Sequence, residues 1–163
     1  MMSDAPPEQD GSGGGTGNGH PAYEISTDPA RLDVDRLHRW LSTDAYWALG
    51  RSRDALERAL AGSLNFGVYE IGSGSADGGG AQLAYARVIT DGATFAWLCD
   101  VYVDRAARGR GIGSALVAAV RAHLAPYGLR RIALVTADAH EVYGKHGFTL
   151  LTDPALWMTW EAD

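Results

Sequence analysis

A single cysteine, Cys99, has no partner for an internal disulfide, and the chain opens with no charged start and apolar stretch of the kind that directs secretion. No apolar run approaches the roughly 20 residues of a membrane span. A cytoplasmic location is therefore the default expectation, with no membrane partner. Basic charge is also in short supply: 14 Lys and Arg stand against 20 Asp and Glu, a net charge of −6. Asp4, Glu8 and Asp10 place three negative charges in residues 1–20, where no Lys or Arg occurs, so the remainder carries −3 (−6 less −3). Neither part has the basic surplus that phosphate-backbone binding requires, and nucleic acid is not an expected partner. The exception is a local cluster from Arg105 to Arg110. What the chain does have is apolar surface: 46% hydrophobic residues and five Trp in 163 residues suffice for one domain with a substantial core.

Pro6-Pro7 and six glycines between Gly11 and Gly19 cannot bury enough surface to offset the entropy of ordering them. Residues 1–20 are expected to be a disordered Gly-rich leader and 21–163 the folded domain. A short strand is expected around Tyr23–Ser26. Asp33 can cap a helix carrying Val34, Leu37, Trp40 and Leu41 on one face, and Ser52 a second helix with Leu56, Ala59 and Leu60 inward and Gly62 past its end. Leu64–Ile71 and Gln82–Thr90 read as strands joined by a flexible glycine-rich hairpin connection. Asp91-Gly92 turns the chain into an apolar central strand, Thr94–Val103. Ile112, Ala115, Leu116, Ala119, Val120, His123 and Leu124 recur at helical spacing, and Pro126 with Gly128 ends that helix. A strand at Arg131–Thr136 then completes a strand–loop–helix–strand unit, which implies a right-handed crossover and parallel pairing. A helix about Ala139–Lys145 and strands at Phe148–Leu151 and Trp157–Trp160 complete the expected α/β fold, a mixed central sheet flanked by helices.

The segment Arg108-Gly109-Arg110-Gly111-Ile112-Gly113-Ser114 lies between an apolar strand and the start of an amphipathic helix. Glycines there let backbone approach a ligand, and the unpaired amides with the helix dipole attract an anion such as a pyrophosphate. A dinucleotide fingerprint fails on count, because the third glycine position falls on Ser114 or Leu116. An ATPase-type phosphate loop fails as well, since no Gly-Lys-Ser/Thr triplet is present.

Arg108, Gly111 and Gly113 fit R-x-x-G-x-G. With the strand Leu98–Val103 before the loop and Tyr143-Gly144-Lys145-His146-Gly147-Phe148 after it, the chain resembles the GNAT superfamily of N-acetyltransferases from about Tyr23 to Trp160. The resemblance implies strands that part to admit acetyl-coenzyme A as acyl donor. It implies that Arg108, Gly109, Arg110, Gly111, Ile112, Gly113 and Ser114 hold the pyrophosphate. It further implies that Val101, Tyr102 and Val103 flank the pantetheine arm, which would run as an added strand between the parting strands. Thr136, where family members often carry asparagine, and His140, near a helix start, are further cofactor contacts. Tyr143 is the expected general acid, protonating the departing thiolate. Asp100, a carboxylate inside an apolar strand, is the expected base, with a structural hydrogen-bonding role equally open; burial would raise its pKa.

His140-Glu141 and His146 do not form a zinc-protease helix, because Gly144 stands where the second histidine belongs, and no metal is expected. Cys99 reads as a small buried hydrophobe, which favours direct transfer over a covalent intermediate. Tyr46, Trp47 and Trp97 are the expected acceptor contacts, since Tyr46-Trp47 occupies the loop between the first two helices, which covers the acceptor site in this family. The expected acceptor is a primary amine of a small molecule. A protein N-terminus or lysine, and an acyl-coenzyme A sensor without turnover, stay open as alternatives, as does homodimerisation. Removing residues 1–20 should leave melting temperature and acetyl-coenzyme A affinity unchanged, as differential scanning calorimetry and titration calorimetry would record, because that segment offers no apolar periodicity to a core.

Overall fold

The computed structural model describes residues 23–72 and 80–161. The expected leader and the centre of the glycine-rich connection lie outside the described residues. The strands β1 (Tyr23–Ser26), β2 (Leu64–Glu70), β3 (Gln82–Thr90), β4 (Phe95–Val103) and β5 (Arg131–Ala133) form one sheet in that order. The first four pair antiparallel, and β4 pairs parallel with β5, as the strand–loop–helix–strand reading requires.

Helices α1 (Val34–Thr43) and α2 (Arg53–Ala61) cover one face. Their caps are those read from sequence: Asp33 accepts from the Arg36 amide, and Ser52 from the Ala55 amide. Leu37, Leu41 and Leu56 pack there with Tyr85 and Tyr102. The opposite face carries α3 (Ile112–Leu124) and the short α4 (His140–Gly144). Ile112, Leu116, Val117, Val120 and Leu124 are buried there against Phe66, Val68, Ala84, Ala86, Val88, Ala96 and Leu98. The turn into β4 follows from Asp91, whose carboxylate accepts from the Ala93, Thr94 and Phe95 amides, and from Gly92 at φ 72°.

β4 carries a bulge. Tyr85 pairs with Tyr102 and Arg87 with Cys99, so β4 spends one more residue than β3 over that step. The extra residue reverses the alternation of faces. Ala96 and Leu98 point to the α3 side; beyond the bulge Val101 and Val103 do so, and Tyr102 turns to the α1/α2 side. Asp100 sits at the reversal with φ 51°, the one non-glycine residue at positive φ among the described residues.

Two expectations change at the carboxyl end. β5 stops at Ala133 rather than Thr136; beyond it the chain turns out of the sheet, where the Thr136 hydroxyl accepts the Ala139 amide and the Ala137 amide bonds the Tyr46 hydroxyl. Residues 148–151 and 157–160 do not form strands. Residues 149–161 are exposed throughout and are interrupted by a 3-10 turn at Pro154–Leu156. Their alternating pattern finds no cross-strand neighbour, which is what stabilises a strand. Trp157 instead packs beneath the Arg131 guanidinium, 5.4 Å from ring centre to Cζ.

Candidate active site

The pairing of β4 with β5 ends at Trp97 and Ala133, and Leu98–Val103 continue without a partner on that side. The gap opens into a cavity of about 720 Å³ whose lining includes Leu98–Val103, Thr136, Tyr143, Tyr46, Trp47 and Trp97. Most of the residues expected to contact donor or acceptor are thus brought together.

At one end the loop after β4 folds into the start of α3. Gly109 and Gly111 hold φ of 77° and 74°, which L side chains rarely adopt. Gly111 is the N-cap of α3 and supplies no side-chain acceptor; the first helical bond runs from the Ala115 amide to the Gly111 carbonyl. The amides of Ile112, Gly113 and Ser114 are the unpaired donors of that first turn, and with the helix dipole they form an anion cradle. Arg105, Arg108 and Gly113 line the cavity here. Arg108 donates from Nε to the Val103 carbonyl at 3.0 Å and lies over the Tyr102 ring.

Other expected cofactor contacts are not brought into the lining. Ile112 is buried in the core; Ser114 bonds His146 at 2.8 Å; His140 is exposed outside the cavity. Arg110 also lies outside it, with Nε and Nη2 buried and without partners among the described residues. Thr136 does line the cavity, with its oxygen already accepting from Ala139.

Along β4 the chemistry changes. Asp100 is 4% exposed and accepts three side-chain donors: Arg51 Nη1 at 2.6 Å, Arg87 Nε at 2.9 Å and Trp47 Nε1 at 3.2 Å. Burial alone would raise its pKa, but the bond from Arg51 and the charges of Arg87 and Arg51 outweigh it and hold the carboxyl below its ordinary value. This corrects the expectation of a raised pKa. A carboxylate this firmly ionised, with its oxygens engaged by three donors, is a poor acceptor for a substrate proton.

The segment between α1 and α2 is fastened at two further points. Asp44 accepts from the Tyr102 hydroxyl and from Arg105, whose Nε lies 3.0 Å away; the Arg105 and Tyr102 bonds lower its pKa to about 2. The Tyr46 hydroxyl accepts from the Ala137 amide at 3.2 Å, across the gap. Residues 44–51 therefore form a lid anchored on β4 and beyond β5.

Tyr143 is 9% exposed, lines the cavity and edges against Phe148. Its hydroxyl has no hydrogen-bond partner among the described residues, and burial, followed by the charge of Asp138 and by Tyr46, pushes its pKa up to about 12. Asp138 lines the same wall and makes no ion pair or side-chain hydrogen bond among the described residues. Cys99 also lines the cavity, its thiol pushed up to about 11 by burial, which keeps it from being a thiolate nucleophile near neutral pH. No cluster of three or more His, Cys, Asp or Glu that could hold a metal occurs among the described residues.

Sequence reasoning missed Asp44, Arg51, Arg87 and Asp138. One signal was legible: Arg87 is the only charged residue within β3 and Asp100 the only one within β4. Two lone, opposite charges in adjacent apolar strands must pair or remain unsatisfied.

A mixed sheet whose parallel pair parts beside a glycine loop and a helix N-terminus offers an extended anionic ligand both a cradle and a free strand edge, as an acyl-coenzyme donor requires. Comparison with known proteins agrees: the acetyltransferase (GNAT) family profile matches residues 34–148. A relative from Gibberella zeae named as a "putative acetyltransferase" is 37% identical over 136 residues, 76% of this chain and 77% of its own length. The crystal structure of a Xanthomonas campestris pv. campestris protein of the GNAT family is 43% identical, with a TM-score of 0.77 over 88% of this chain and 96% of that one. Glucosamine-6-phosphate N-acetyltransferase from Arabidopsis thaliana shares the fold at 16% identity, with a TM-score of 0.58 over 87% of this chain and 99% of its own. The chain belongs to the GNAT acetyltransferase family. It is an acyltransferase, and the family's donor is acetyl-coenzyme A.

Replacing Asp100 with Ala strands two guanidinium groups, so stability should fall by about 3–5 kcal/mol, as for other buried pairs that lose one member. Urea denaturation would measure it. The parent should lose stability in acid, and the sign follows from the shifts: Asp44 and Asp100 have folded pKa values below their unfolded ones. Their contribution is present above about pH 4 and disappears as pH falls through the folded values, about 2 for Asp44. The Asp100→Ala variant should show a shallower acid limb.

Proposed function

We propose that the protein transfers an acetyl group from acetyl-coenzyme A directly to a primary amine of a small molecule, with Tyr143 as general acid. The observation that carries this reading is one cavity lined by Arg108 and Gly113 at the start of α3 and by Tyr143, whose hydroxyl has no hydrogen-bond partner among the described residues.

The residues fit the donor. The amides of Ile112, Gly113 and Ser114, with Arg108, would hold the pyrophosphate. The unpaired edge of β4 from Leu98 to Val103 offers backbone groups to an extended pantetheine arm. The Val103 carbonyl already accepts from Arg108, so its contact would be shared.

When the amine attacks the thioester carbonyl, the C–N bond forms and the C–S bond breaks. Tyr143 gives its proton to the departing sulfur and regains one from the nitrogen that becomes the amide. With its pKa at about 12, Tyr143 is protonated across the neutral range and loaded as an acid. Asp138, open to solvent, replaces Asp100 as the group that receives the incoming ammonium and passes its proton to water. Asp100 becomes a positioning residue, fixing Trp47 and Arg51 over the site. The bond from Ala137 to Tyr46 spans the gap, which favours a bounded pocket for a small amine over a groove for a protein chain.

Release of free thiol from acetyl-coenzyme A across a panel of amines tests the reading; no release with any amine, despite binding of the donor, would leave a sensor. For the acid, Tyr143→Phe should lower turnover by roughly 10²- to 10⁴-fold with acetyl-coenzyme A affinity nearly unchanged. The loss should shrink with a thioester whose thiolate leaves more readily. An equal loss with both donors would return Tyr143 to a packing role.

A further inference from the structure

The far wall of the cavity holds an unbalanced cation. Arg51 and Arg87 both line it, and both direct a nitrogen at the same Asp100 oxygen, 2.6 and 2.9 Å away. Two guanidinium groups and one carboxylate leave a net charge of +1 on a wall otherwise built from Trp47, Trp97, Leu98 and Cys99. Each guanidinium carries five N–H donors. Among the described residues Arg51 uses one on a protein acceptor, and Arg87 uses two, the second on the Ser63 hydroxyl at 3.1 Å. The side chains are 22% and 12% exposed. A half-buried cation with unused planar donors facing a cavity calls for an anion, and a carboxylate matches both the fork geometry and the single surplus charge. A dianionic phosphate would overshoot that charge.

The opposite sign stands elsewhere on the lining. Asp138 is a carboxylate without a protein partner among the described residues, close enough to Tyr143 for its charge to be felt there. The third cavity carboxylate, Asp44, is consumed by Tyr102 and Arg105. Apart from the α3 end, where Arg105 and Arg108 share Asp44, the lining therefore presents one available negative group, Asp138, and one surplus positive charge, at Arg51 and Arg87.

We propose that the acceptor is an amino acid: its carboxylate is received by Arg51 and Arg87, and its ammonium by Asp138 beside Tyr143. The proposal rests on the transferase reading above and names the substrate class of that site. Arg51 is the specificity-determining residue, since Arg87 is also tied to Ser63.

The test compares α-, β-, γ- and δ-amino acids with their carboxamides as acceptors. The parent should favour the carboxylate by about 10- to 100-fold in kcat/KM, the range for a hydrogen bond to a charged group. In Arg51→Gln that ratio should collapse to near one with acetyl-coenzyme A affinity unchanged, and Arg51→Lys should restore part of it. A second readout needs neither turnover nor a variant: tryptophan fluorescence of the parent, with and without coenzyme A, titrated with N-acetylglycine and N-acetyl-γ-aminobutyrate. These carboxylates should give a saturable change and their amides none. Thiol release confined to amines without a carboxylate would overturn the anion site and leave the transferase intact. A saturable carboxylate response without thiol release from any amine would fault the transferase reading and keep the anion site. No response to either carboxylate, together with a parent ratio near one or no turnover, would overturn the proposal.

Discussion

The site depends on one buried carboxylate. Asp100 occupies the bulge of β4, at a positive φ that costs a non-glycine residue of order 1–3 kcal/mol and persists only where its surroundings enforce it. The enforcement is visible: Arg87 from β3, with Arg51 and Trp47 from the lid, all converge on its two oxygens. The donors come from β3 and from the lid, so the carboxylate joins sheet and lid at the point where the strand changes face. Without the bulge, residue 100 would continue the alternation of Ala96 and Leu98 into the α3 core, where a charge has no partner.

The same bulge prepares the donor end. Reversal of the faces turns Val101 and Val103 toward α3 and Tyr102 toward α1. Tyr102 can then stack on Trp40, with ring centres 5.0 Å apart, and give its hydroxyl to Asp44. Val103 Cγ2 comes to 3.5 Å from where a Cβ on Gly113 would stand. The first turn of α3 is thereby seated against the end of β4, with Gly113 at the cavity. Lid and glycine loop are both registered by one irregularity in one strand.

The parts of the fold set by local signals were legible in the sequence. The caps at Asp33 and Ser52, the Asp91-Gly92 turn, the apolar stripe of α3 and the loop of Arg108–Ser114 each act within a few residues, and each stands where the pattern puts it. Tyr46, Trp47, Trp97, Asp100 and Tyr143 do share one cavity. What could not be read was set at long range. Arg51 and Trp47 reach Asp100 from 49 and 53 positions away, so its burial and its pairing with Arg87 could be foreseen but not the lid guanidinium that joins Arg87 in reversing the effect of burial on the pKa. The pattern at 157–160 carries the alternation of a strand, but pairing needs an edge, and β5 ends after three residues.

That early end of β5 is itself part of the site. Beyond Ala133 the chain leaves the sheet, and its next hydrogen bonds are made elsewhere: the Thr136 hydroxyl takes the Ala139 amide, and Ala137 donates to Tyr46. These bonds turn the chain into α4, whose amides at Val142 and Tyr143 both reach back to the Ala139 carbonyl. The position of the Tyr143 ring is therefore set by the residues that meet the lid, not by β5. Two hydrogen bonds, Trp47 to Asp100 and Ala137 to the Tyr46 hydroxyl, tie adjacent lid residues to β4 on one side and to the chain leading into α4 on the other. The wall carrying Asp100 and the wall carrying Tyr143 thus meet the same short lid, although they lie on opposite sides of the parted strands.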